Sequence, residues 1–179
     1  MRARHPLPRL WLMSDERLGD DFLGIVARLP RGAGIVFRHY ELAASERRAL
    51  FEQVRRIAQR RGLVLILAGS GTQAKAWRAD GVHGRNRRHT RALLRAAPVH
   101  TLHEMAAARR VGAQIVFISP VFLTRSHPGA PALGRMRFAQ LAQQAHAFGM
   151  APIALGGMTA WRARTLPHAH GWAGIDAFL

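Results

Sequence analysis

The 179-residue chain contains no cysteine, which excludes a disulfide framework, a thiolate nucleophile and a thiolate-held metal, and fits a reducing, cytoplasmic setting. Long apolar runs are missing too. The longest, LVLIL from Leu63 to Leu67, falls far short of the roughly 20 residues that span a bilayer, so no membrane is expected as a partner. The opening MRARHPLPRLWLM places basic residues ahead of a short apolar run, but no small-residue cleavage site follows, and LWLM is expected to form a first strand. Acids are scarce: ten stand against 27 basic side chains, for a net charge of +17. A field of that size attracts polyanions. Yet Lys75 is the only lysine, and aromatic residues do not interleave with the arginines as a base-stacking platform requires. Nucleic acid is therefore not the expected partner, and Arg47, Arg48, Arg55, Arg56, Arg60 and Arg61 are expected on a solvated helix face.

What is present is a regular alternation. Short strand-like runs occur at Leu10 to Met13, Gly34 to Phe37, Leu63 to Leu67, Gly81 to His83, Pro98 to His100, Ile115 to Ile118, Pro152 to Leu155 and Ala173 to Ile175. Several are apolar throughout, as parallel strands covered on both faces must be. Helical patterns lie between them. Ser45 is placed to cap a helix whose apolar face is Leu50, Val54 and Ile57; Thr101-Leu102-His103-Glu104 reads as a capping box; Phe138, Leu141 and Ala145 form a third stripe. Strand and helix repeated about eight times predict a (β/α)8 barrel, a single domain over residues 1–179 and a trimmed version of the usual roughly 250 residues. The competing open doubly wound sheet lacks its Gly-x-Gly-x-x-Gly after the first strand.

In such a barrel the chemistry belongs at the C-terminal ends of the strands. The residues just past each run are rich in hydroxyls, guanidinium groups and glycines and poor in carboxylates. They include Arg38-His39-Tyr40, Thr124-Arg125-Ser126-His127, Gly156-Gly157 and Asp176. These are groups that phosphate oxygens need. The run FISPVFLTRSHPGAPALG, which leaves an apolar strand for cations and turn residues, is expected to be an anion clamp.

That run closely resembles the loop after strand six in the thiamine phosphate synthase / TenI family. VFRHYELAASERRAL, ADGVHG, VHTLHE, IALGGMT and GIDAF resemble further pieces of the same family in the same order. The resemblance covers nearly the whole chain. It implies a (β/α)8 barrel in thiamine assembly, where an aminopyrimidine diphosphate ionises, pyrophosphate leaves, and the nitrogen of a thiazole phosphate attacks the cation. Its ligands would be thiazole phosphate, pyrimidine diphosphate or thiamine phosphate, and its assembly a homodimer. Carried over position by position, Arg38 and His127 become the catalytic candidates. Thr124, Arg125, Ser126, Gly156, Gly157, Ile175, Asp176, His100 and Tyr40 become the candidates for phosphate or substrate binding.

The chain also departs from the pattern. The family's Gln-Leu-Arg-x-Lys reads Val36-Phe37-Arg38-His39-Tyr40, its Asn-Asp after strand three reads Ala68-Gly69, and the acidic position after strand four falls in Arg85-Asn86-Arg87-Arg88. Mg2+ is the cofactor the resemblance implies, and its usual ligands are absent; Asp15, Glu41 and Asp176 are the acids left near that face. Arg85 and Arg87 offer bidentate phosphate contacts in their stead. Alternatives stay open: a non-catalytic phosphate-ligand binder or regulator, a thiazole tautomerase whose base position is Pro120, with His100, His103 or His127 left to substitute, and a nucleic-acid-associated protein.

Overall fold

In the computed structural model, which describes residues 6–85, 92–125, 129 and 131–178, parallel strands pair in chain order from β1 to β8 and then back to β1, closing a barrel. The strands are β1 Leu10–Met13, β2 Gly34–Phe37, β3 Val64–Ala68, β4 Gly81–His83, β5 Leu94–Val99, β6 Ile115–Ile118, β7 Ala151–Ala154 and β8 Gly171–Gly174. Every residue of β2, β6 and β7 is buried, as strands with helices outside and a filled barrel inside require. Trp11 meets Phe117 edge-on at 5.5 Å, and Phe117 meets His83 at 5.2 Å. Since β1, β4 and β6 are not neighbours, these rings can meet only across the interior. The barrel is packed, not hollow.

The outer layer is formed by α1 Phe22–Arg28, α2 Ala44–Arg61, α3 Gly71–Ala76, α4 Leu102–Arg110, α5 Gly134–Ala147 and α6 Ala160–Arg164, with 3-10 turns at Glu16–Asp21 and Asp176–Phe178. Three of them are shorter than two full turns or barely reach it, which is how eight units fit into so few residues. The stripe of α5 is as expected, with Phe138, Leu141 and Ala145 buried. On α4, Thr101 accepts the Glu104 N–H at 3.2 Å, but Glu104 reaches back one residue further than a capping box requires, accepting from the His100 N–H at 2.6 Å.

Several expectations are corrected. Helix α2 starts at Ala44, so Ser45 lies inside its first turn; the Glu46 carboxylate accepts the Ala43 N–H at 3.3 Å instead. Its fully buried stripe is Arg47, Phe51, Val54 and Ala58, and Leu50 and Ile57 flank it, partly buried against the same core. Arg47 therefore leaves the solvated face: it is 9% exposed and its guanidinium lies over the Phe37, Tyr40 and Trp77 rings. Strand β5 begins at Leu94, four residues ahead of Pro98, and His100 lies just beyond it. The eighth strand begins at Gly171, which leaves Ile175 past its end. Among the described residues no helix is long and apolar enough to cross a membrane.

Candidate functional site

A cavity of about 330 Å³ opens at the C-terminal ends of β2 and β5 to β8. Arg38 borders it from β2, His100 from β5, Thr124 and Arg125 from β6, Gly156 and Gly157 from β7, and Ile175 and Asp176 from β8. Two larger cavities of about 650 Å³ lie elsewhere. One sits between β5 and α4 and takes in Arg85 and His103; the other is at the N-terminal ends of β1 and β3. His103 is thus parted from His100. Tyr40 borders none of the three; its ring is 65% exposed. Ser126 and His127, like Arg87 at the fourth strand, fall outside the described residues.

The glycine pair is demanded by close packing. Gly156 has φ +95° and Gly157 φ +59°, and a Cβ at either would lie 2.7 Å from Pro120 Cα or 2.4 Å from the Leu123 carbonyl. Bare backbone there lets the β6 and β7 loops meet at the floor of the pocket. Thr159, the N-cap of α6, accepts the Arg162 N–H at 3.2 Å. That fixes Arg162, whose Nη1 donates to the Gly157 carbonyl at 2.5 Å and whose guanidinium lies 4.9 Å from the centre of the Phe122 ring. Arg162 lines the same cavity. A short helix with no apolar stripe gives no sequence signal for it; the Thr159 capping position three residues earlier is the one clue.

Arg38 is held at the end of β2. Its N–H donates to Ser14 Oγ at 2.7 Å, its Nε donates to the Ser14 carbonyl at 2.8 Å, and its Nη2 contacts Asp15 Oδ2. Ser14 Oγ also lies 2.9 Å from Nδ1 of His39, which is 5% exposed and stacks on Phe37 at 5.0 Å. Burial holds His39 below the ordinary histidine range, against the pull of Glu16 and Asp15. On the far side of the pocket the His100 Nδ1–H donates to the Ser119 carbonyl at 2.6 Å, which fixes the orientation of the ring.

Asp15 and Asp176, two of the acids named for this face, are both engaged by arginines. Burial raises the Asp15 carboxyl, but the hydrogen bonds from Arg17 and the charges of Arg38 and Arg17 outweigh it and hold the group below its ordinary value. Asp176 meets Arg17 at 3.4 Å and Arg125 at 3.2 Å. Ala68 and Gly69 carry no oxygen-bearing side chains, and Arg85 is turned onto Glu104. This donor set does not fit a divalent cation bound in the family's manner.

The family described as "Thiamine monophosphate synthase" (TMP-TENI) matches residues 11–178. The "Putative thiamine-phosphate synthase 2" of Aquifex aeolicus (strain VF5) is 28% identical over 187 residues, 97% of this chain and 98% of that protein. The "Thiamine-phosphate synthase" of Thermobifida fusca (strain YX) is 33% identical over 155 residues, 79% of this chain and 71% of that protein. Among solved structures, the thiamine phosphate pyrophosphorylase from Pyrococcus furiosus superposes with a TM-score of 0.76 at 20% identity, covering 96% of this chain and 86% of its own, which speaks for the fold alone. With a match running from the first strand to the last turn, this chain belongs to the thiamine monophosphate synthase family.

Proposed function

We propose that this chain joins an aminopyrimidine diphosphate to a thiazole phosphate and releases pyrophosphate. One observation carries the reading: Arg38, Thr124, Arg125 and the Gly156-Gly157 pair, from three separate loops, border one cavity whose volume of about 330 Å³ suits a small ligand. The glycine floor takes the thiazole phosphate, beside the segment at the end of β8 that carries Ile175 and Asp176. Arg38 faces the departing pyrophosphate. As the carbon–oxygen bond breaks, its electron pair leaves on the pyrophosphate oxygen, and a fixed guanidinium meets the charge that develops there. The thiazole nitrogen then gives its lone pair to the methylene carbon. His127 and Ser126 enter this scheme through the family resemblance.

Incubating the pure protein with both substrates, with and without Mg2+, tests the reading. Thiamine phosphate and pyrophosphate are expected in equal amounts; no product under either condition removes the synthase assignment. The replacement of the family's Asn-Asp by Ala68-Gly69, and of its acidic position after strand four by the run Arg85-Asn86-Arg87-Arg88, favours a second reading, a non-catalytic binder of the same ligands. That protein would bind thiamine phosphate saturably without turning over its precursors.

A further inference from the structure

Five side chains from four loops form an alternating ionic chain at the mouth of the pocket, in the order Arg38, Asp15, Arg17, Asp176, Arg125. Arg38 Nη2 contacts Asp15 Oδ2; Arg17 Nε lies 2.8 Å from Asp15 Oδ1 and Arg17 Nη1 lies 3.4 Å from Asp176 Oδ1; Arg125 Nη2 lies 3.2 Å from Asp176 Oδ2. Three guanidinium groups against two carboxylates leave the chain with an excess positive charge. Its two ends differ. Asp15 and Arg38 are 16% and 25% exposed and Arg38 is tied further to the Ser14 carbonyl, whereas Arg125 is 77% exposed and meets Asp176 through one carboxylate oxygen, Oδ2, at 3.2 Å. Exposed pairs of that kind contribute little to stability, so their partners exchange readily.

A phosphate group brings about two negative charges and three strong acceptor oxygens. Guanidinium binds it bidentately through two oxygens, better than it binds a single carboxylate oxygen. On the reading that this pocket takes a phosphorylated ligand, we propose that Asp176 stands in for the ligand's anion, holding Arg125 and Arg17 at the rim until the anion displaces it. The arginine chain then supplies the neutralising charge, and anion binding needs no divalent cation. A metal bound between Asp15 and Asp176 would first have to break the contacts that each carboxylate makes with two arginines.

Calorimetric titration of inorganic pyrophosphate into the intact protein, in EDTA and in Mg2+, tests this. The wild type should bind within about twofold of the same affinity in both, and Arg125→Gln should bind about threefold to tenfold more weakly. Asp176→Asn should bind more tightly, with most of that gain lost in the Arg125→Gln background, which separates exchange at Arg125 from a change in the overall field. Should the asparagine variant not fold, Asp176→Ser takes its place in the same titrations. Binding seen only with Mg2+, or Asp176→Asn affinity unchanged or weakened, overturns the inference and leaves the reading of the pocket standing. Absence of binding under every condition overturns both.

Discussion

The guanidinium of Arg47 donates from Nε to the backbone carbonyl of Arg38 at 2.7 Å, and from Nη2 to the Ala68 carbonyl at 2.8 Å. One buried side chain on α2 thereby fastens the end of β2 to the end of β3 and sets the backbone from which the Arg38 side chain reaches the pocket. Both ties depend on a rigid fork of donors. Arg47→Met should lower unfolding free energy by about 2–4 kcal/mol in urea titrations, since two carbonyls lose their partner. Arg47→Lys should recover less than half of that loss.

Arg38 itself faces the cavity at the rim. Arg38→Ala should weaken thiamine phosphate or pyrophosphate binding by about tenfold, the loss of a charged hydrogen-bonding partner. Its stability cost should stay within about 1–2 kcal/mol, because Asp15 retains Arg17. An Arg38→Ala protein that is strongly destabilised yet binds ligand at wild-type affinity while folded would show that the site lies elsewhere. Thr124→Ala should follow the same pattern with a smaller loss of affinity.

Gly157→Ala should be worse than either. Its Cβ would stand 2.4 Å from the Leu123 carbonyl in a backbone of φ +59°, so the β6 and β7 loops must part. A stability loss of about 1–3 kcal/mol is expected from differential scanning calorimetry, with phosphate binding abolished.

His83 makes stability depend on pH. Burial, then the charge of Arg38, lowers its pKa from 6.5 to about 4, and its Nδ1 has no hydrogen-bond partner among the described residues. In the unfolded chain the ring takes a proton near 6.5, in the fold only near 4. The unfolded state therefore binds more protons between those values. The contribution of His83 is complete above pH 6.5 and drains away as the pH falls toward 4, by roughly 3 kcal/mol in all. Urea unfolding from pH 7.5 down to 4.5 should show that slope, and His83→Leu should reduce it, leaving the smaller part that His39 contributes in the same direction.

The barrel was legible because covered parallel strands leave continuous apolar runs, and GIVF and IVFI are such runs. β5 was less so. Its residues LRAAPV include Arg95, buried at 7% exposure with its N–H donating to Gln114, and Pro98, and a buried arginine reads as the end of a strand. Arg47 misled for the same reason: its place on the stripe with Phe51 and Val54 is visible, but its charge argues for solvent. Of the residues that border the candidate cavity, Arg38, Thr124 and the glycine pair could be found by reading past each strand. The ionic chain could not, because Arg17 and Asp176 stand 159 positions apart and only closure of β1 on β8 brings them together.

The most direct measurement is a crystal structure of the protein grown with saturating thiazole phosphate. The account predicts phosphate density on the Gly156-Gly157 backbone, between Thr124 and the end of β8, with the ring toward His100. Phosphate bound at either of the other two cavities, or none at saturation, would contradict it.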